Sequence, residues 1–168
     1  MRPLPFAPRP FPDEALGSWI GRLAARYRVG VAQLNAGYGL GLEVSGPLAW
    51  LLPSPLSPVS LSKLSCLTRM SGVAISALSV GAAPRLLGAP YCKRCVFLNP
   101  LEVESPYWKK SWLMPGASVC DVHGLPLVTL SASLARDTRN MLDLIKRVGR
   151  LERERRELAR SDDVGRRH

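Results

Sequence analysis

Apolar positions along the chain repeat at helical spacing in three places. Leu16, Trp19, Ile20, Leu23 and Tyr27 follow one another at 3, 1, 3 and 4 residues, one stripe of an α-helix. Asp13 stands where an N-cap belongs, Glu14 in the first turn, and Gly30 beyond the end. Arg22, Arg26 and Arg28 lie off the stripe, which predicts a core-facing helix with a solvated basic flank. Val31–Tyr38 reads as a short second helix. Leu61, Leu64, Leu67 and Met70 predict a helix over 60–70, and Ser71 a cap for another running from Gly72 to about Val80, with Ile75 and Leu78 inward. Met141, Leu144, Ile145, Val148 and Leu151 form the third stripe, which should dock on the core or a partner.

Between these stretches the period is lost. Residues 1–12 hold five prolines and read as an extended arm. Gly39, Gly41 and Gly46 break the chain after the second helix, Leu48–Leu52 is a brief apolar piece, and Pro53, Pro55 and Pro58 mark a turn-rich connector. The fold class that follows is mostly α, with a small metal-binding lobe containing a short β-hairpin. Three segments are expected: a helical, helix-turn-helix lobe over 1–88, a metal lobe over 89–131, and a basic helix with a disordered tail over 132–168.

Charge adds a partner class. The chain carries +10, of which residues 1–88 hold +5, 89–131 hold +1 and 132–168 hold +4. Such a field favours anionic partners, nucleic acid first. The run from Lys146 to Arg160 alternates arginine with Glu152, Glu154 and Glu157. Pairs such as Glu152–Arg155 and Glu152–Arg156 would leave it partly self-neutralised. Arg147, Arg150 and Arg153 are the candidates for a backbone contact with DNA or RNA. The helix from Gly72 offers only Ser76 and Ser79 as polar groups. Base reading leans on Lys, Arg, Asn and Gln, so docking suits that unit better than sequence recognition.

The cysteines carry the sharpest signal. Tyr91-Cys-Lys-Arg-Cys95 and Cys120-Asp-Val-His123-Gly give C-x2-C, 24 intervening residues, then C-x2-H. Two tight turns aim Cys92, Cys95, Cys120 and His123 at one ion, and three thiolates with one imidazole satisfy tetrahedral Zn²⁺. All four positions are protein, so the ion is structural. The competing reading is a redox Cys92–Cys95 pair. Cys66 has no partner at ligand spacing and reads as a small buried residue. Between the turns, Trp108, Lys109 and Lys110 would either stack bases and hold phosphates or, with Trp112, cover the metal site. Residues 1–5 lack the apolar stretch of a secretion signal, and no segment reads as a membrane span or a small-molecule site. There is no acidic triad, phosphate loop or nucleophile–base pair, so an enzyme is not expected.

Together these residues resemble the TniQ family. Pro12-Asp-Glu-Ala-Leu-Gly-Ser-Trp-Ile-Gly-Arg-Leu-Ala24 is similar to the family's opening helix. Lys63–Val80 looks like its helix-turn-helix segment. Tyr91–Cys95, Pro106-Tyr-Trp108, Trp112 and Cys120–Leu127 look like its zinc segment. The likeness covers roughly residues 5–130. Asp121 replaces the usual proline of the second metal turn, and Arg69 stands where glycine is common. The resemblance implies a bacterial, cytoplasmic adaptor that selects transposition targets. Such a protein recruits an AAA+ regulator ATPase, and through it the transposase, to target DNA. In CRISPR-associated transposons it links that ATPase to an RNA-guided effector complex. The chain is most similar to the compact members. A sequence-specific helix-turn-helix regulator is the alternative.

Overall fold

A computed structural model describes residues 2–44, 46, 48–53, 55–80, 88–98 and 106–165, with backbone alone at 98 and from 159 onward. Among the described residues the protein is mostly helical with one small antiparallel sheet. Helix α1 spans Leu16–Arg26, α2 Val31–Tyr38, α3 Pro58–Thr68 and α4 Gly72–Ser76. Strand β1, Gly88–Tyr91, pairs with β2, Val128–Ser131, from Gly88 against Ser131 to Tyr91 against Val128. Helices α5, Ala132–Ala135, and α6, Met141–Gly165, complete the chain. The expected hairpin is therefore two strands far apart in sequence. A hairpin-like reversal occurs at 118–127, held by a single bridge between Val119 and Pro126.

Helix α1 is the central element, and this corrects the expectation of a solvated flank at Arg22, which is buried, while Arg26 and Arg28 are exposed as expected. Trp19, Leu23 and Ala24 are fully buried, and so are Ser18 and Glu14. The arm covers one side, with Trp19 Nε1 donating to Pro8 O at 2.8 Å. On another, the backbone of Leu51 comes so close to Gly17 that any Cβ would collide with it. That contact is why the sequence has glycine beside its central tryptophan. Asn140 caps α6 through Asp143 N at 3.1 Å and reaches back to Val29 O at 2.8 Å, so α6 lies along α1. Its stripe docks as expected through Met141, Leu144 and Val148, with Ile145 half-buried. Helix α6 then runs on to Gly165, into the stretch expected as a disordered tail; residues 166–168 lie outside the described residues.

Asp13 is not the cap of α1. It takes a left-handed φ of 59° and accepts from Ser111 Oγ at 2.7 Å, while Ala15 occupies the N-cap. The first amide of α1 donates instead to Leu78 O at 2.9 Å. Helix α3 starts earlier than its apolar stripe, because Ser57 caps it and Pro58 takes the first helical position. It ends at Arg69, whose φ of 58° is the left-handed conformation that favours glycine at this place. Ser71 caps α4 as expected, through Ala74 N at 3.2 Å. The helix stops at Ser76 rather than Val80. The carbonyls just beyond its end are taken by other elements, Leu78 O by Leu16 N and Ala77 O by Lys110 Nζ. A five-residue α4 spans only about 7.5 Å. Cys66 is exposed, not buried, because Leu64 and Leu67 take the inward face of α3. One hydrophobic core runs from Leu4 through the metal segment to Val148.

Candidate metal centre and its supports

Cys92 follows directly on β1, and Cys95 lies in a one-turn π-helical segment, Arg94–Leu98. Cys120 and His123 sit on the 118–127 reversal. Cys120 N donates to Leu125 O at 2.8 Å and Leu127 N to Ser118 O at 2.9 Å, closing the loop. Gly124 turns the chain with a φ of 61°, the conformation that a His-Gly pair supplies without strain.

The sheet and this loop bring all four expected ligands together. Their donor atoms lie within 4.8 Å of one another, so the cluster can hold a metal ion. His123 Nδ1 is 3.6 Å from Cys92 Sγ, 3.2 Å from Cys95 Sγ and 3.7 Å from Cys120 Sγ. Cys95 and Cys120 Sγ are 3.6 Å apart. Zinc–ligand bond lengths set in a tetrahedron give edges of about 3.8 Å between thiolates and about 3.6 Å from thiolate to imidazole. The cluster therefore fits a tetrahedral ion. The Cys95–Cys120 separation is also far longer than the roughly 2.05 Å of a disulfide. Four protein donors leave no coordination position for water or substrate, which is the pattern of a structural centre.

The local fields act on two of the cysteines in opposite directions. Burial pushes the Cys95 thiol up, and the neighbouring Cys120 and Cys92 sulfurs push it further. Burial also works to raise Cys120. The backbone N–H groups of His123 and Val122 lead the hydrogen bonds, those of Cys92 and Cys95 included, that together outweigh it and lower Cys120. Burial alone would depress Lys109. The Asp121 carboxylate, 3.5 Å from Lys109 Nζ, leads the effects that reverse this and raise it. Asp121 thus gives the second metal turn an ion pair that a proline could not.

The TniQ family model matches residues 5–127. The chain belongs to the TniQ family. Comparison with curated proteins and with solved structures gave no match. The family's opening motif now acquires a structural reason. Ser18 and Arg22 on α1 and Glu14 just before it stand four residues apart in sequence and form a buried network. Ser18 Oγ donates to Glu14 Oε1 at 2.8 Å, and Arg22 spans both carboxylate oxygens at 2.9 and 2.8 Å. Arg22 also donates to Arg9 O, and Phe11 N to Glu14, so the network fastens the arm. Ser18 Oγ accepts from Trp108 N at 2.9 Å, which ties α1 to the metal segment.

Trp108 is fully buried, with Nε1 donating to Pro90 O at 2.7 Å and its ring tilted against Tyr91. It has no face to offer a base, which corrects its place among the contact candidates. Trp108 and Trp112 meet edge to face and form the core beside the metal cluster. Lys109 is engaged by Asp121 and Lys110 by the end of α4. Arg147, Arg150 and Arg153 are exposed on α6, with Arg147 3.8 Å from Asp137.

One support was missed by sequence reasoning. Glu152 on α6 is buried and holds the first metal turn. Lys93, between two ligands, contacts Glu152 Oε2 at 2.6 Å, and Tyr91 donates to Oε1 at 3.1 Å. Arg155 adds a contact at 3.2 Å, the pair expected from the i, i+3 spacing. Burial would raise the Glu152 pKa, but the Lys93 and Tyr91 hydrogen bonds and the Lys93 charge outweigh it and lower it. The distal part of α6 is thus latched to the metal turn. Replacing Glu152 by glutamine is expected to weaken this latch by about 1.5–3 kcal/mol, the range for hydrogen bonds to a charged group. Amides after Val148 should then exchange faster, with the cysteine cluster intact. Unchanged exchange in this stretch would show that the latch contributes nothing.

Proposed function

We propose that the chain, whose TniQ membership supports a role in selecting transposition targets, is a non-catalytic adaptor that recruits an AAA+ regulator ATPase, and through it the transposase, to target DNA. The family match over 5–127 carries this reading. The fit of Cys92, Cys95, Cys120 and His123 to a closed tetrahedral site supports Zn²⁺ as a structural ion that fixes a docking surface. Arg147, Arg150 and Arg153 lie on the exposed side of a helix rooted in the core and suit contacts with a phosphate backbone. The same adaptor would serve in linking an RNA-guided CRISPR effector complex to the ATPase. The alternative, a regulator that reads sequence with its helix-turn-helix, draws no support from α4, which is short and lacks base-reading side chains. Among the described residues no helix is long and apolar enough to cross a membrane. The bacterial cytoplasm is the location that the family resemblance implies, and it is part of the proposal.

The test is a pulldown against the regulator ATPase encoded beside this gene, with and without DNA and ATP. Association that strengthens with DNA or nucleotide is the expected result. No association in any condition overturns the adaptor reading.

A further inference from the structure

The N-terminal arm, α1 and the start of α6 enclose an open groove of about 940 Å³. Phe6, Arg9, Arg26, Pro106, Leu142 and Ile145 are among its lining residues. Phe6 on the arm is 53% exposed and Leu142 on α6 is 50% exposed, so each wall presents a large apolar side chain to solvent. The charged side chains lining the groove, among the described residues, are Arg9, Arg22 and Arg26. Arg22 is matched by Glu14, while Arg9 and Arg26 are exposed. The Arg26 guanidinium stands 4.9 Å from the Phe6 ring centre and fixes that ring at the rim.

The arm is a set wall with its backbone already spent. The Tyr27 hydroxyl accepts from Phe6 N at 3.1 Å and donates to Phe6 O at 2.6 Å. Pro8 O accepts from Trp19, and Arg9 O from Arg22. Phe11 N donates to Glu14. Pro5, Pro8 and Pro10 have no N–H to give. A strand laid along this arm would therefore find almost no ladder to join. An occupant must satisfy its own backbone, and a helix does so. A wall that needs no ordering on binding also lowers the entropic cost of docking.

We propose that this groove docks an acidic amphipathic helix of a partner protein. Its apolar ridge lies against Phe6, Pro106, Leu142 and Ile145, and its carboxylates meet Arg9 and Arg26. Duplex DNA fits less well, because phosphate binding wants a row of cations and this lining is mostly apolar. The inference deepens the adaptor reading by giving a surface and a chemistry for one partner, and it rests on that reading for the partner being a protein.

The test uses the full chain loaded with zinc. It is titrated with three fluorescein-labelled helical peptides that share leucines at i, i+3, i+4 and i+7. The other positions hold alanine with glutamate, lysine or glutamine. The glutamate peptide should bind about tenfold or more tighter than the lysine peptide, the ratio that about 1.4 kcal/mol supplies. Arg26→Glu and Leu142→Glu should each weaken it by a similar factor without lowering the melting temperature, since both side chains are exposed. Equal binding of the three peptides, or indifference to both substitutions, overturns the proposal. So does a labelled DNA duplex that displaces the peptide and is weakened by the same changes. In the ATPase pulldown, capture by the wild type and equally by both variants overturns the groove and spares the adaptor reading. Peptide binding at the groove with no ATPase capture does the reverse.

Discussion

Stripping the metal is expected to unfold the segment from β1 to β2 and to release α6 beyond Val148. Cys120→Ser should do the same without a chelator. Structural zinc in small finger peptides is worth roughly 10–16 kcal/mol of apparent binding free energy. The whole stability of an ordinary domain is only about 5–15 kcal/mol, so loss of the ion exceeds what the local core can absorb. The structure makes the loss visible. Trp108 and Trp112 form the core next to the cluster and are tied to α1 through Ser18. Near-ultraviolet circular dichroism should therefore collapse with the melting temperature, and metal analysis of the native protein should return one zinc per chain. Affinity should also fall as pH drops, since three thiols must lose protons to bind the ion. A chelator that removes the metal while leaving the aromatic spectrum and the melting temperature unchanged would sink the structural assignment.

Breaking the Glu14–Arg22 pair from one side is the second large effect. Glu14 is fully buried and the Arg22 side chain is 8% exposed, so neither charge can turn to water. Glu14→Ala leaves a buried guanidinium without its carboxylate, at a cost of about 3–5 kcal/mol. For a chain of this length that corresponds to a fall in melting temperature of roughly 6–20 °C. The arm should loosen as well, because Phe11 N and Arg9 O are held by the same two residues. The pair exchanged together, Glu14→Gln with Arg22→Met, should cost less than Glu14→Ala alone, since no charge is then stranded. A double variant whose loss of stability relative to wild type equals the sum of the losses from Glu14→Gln and Arg22→Met alone would show that the pair is not coupled.

How much of this was legible beforehand depends on the range of the interaction. The C-x2-C and C-x2-H turns announce four donors because each turn is local, and the cluster forms as their spacing implies. The bounds of α2 and the Ser71 cap of α4 could be read for the same reason. Glu14 and Arg22 were misread because helical spacing reports which side of α1 is polar. It does not report that the arm covers that side. The i, i+4, i+8 placement of Glu14, Ser18 and Arg22 was the available signal. Glu152 was read as a partner for nearby arginines, and its contact with Arg155 exists. Its link to Lys93 and Tyr91 crosses more than half of a hundred residues of chain and left no trace in the local pattern.

By itself, the sequence determined the helical stripes, the ligand set and the family to which the chain belongs. Each is a property of neighbours on the chain, where backbone geometry fixes which side chains meet. Only the tertiary structure decided that α1 is central rather than superficial, that Trp108 faces the core, and that α4 stops after Ser76. Those outcomes turn on which distant groups claim the same carbonyls, faces and charges. Burial is a property of the assembled chain, and it turned one arginine of a basic flank into half of a buried ion pair and an extended arm into the wall of a groove.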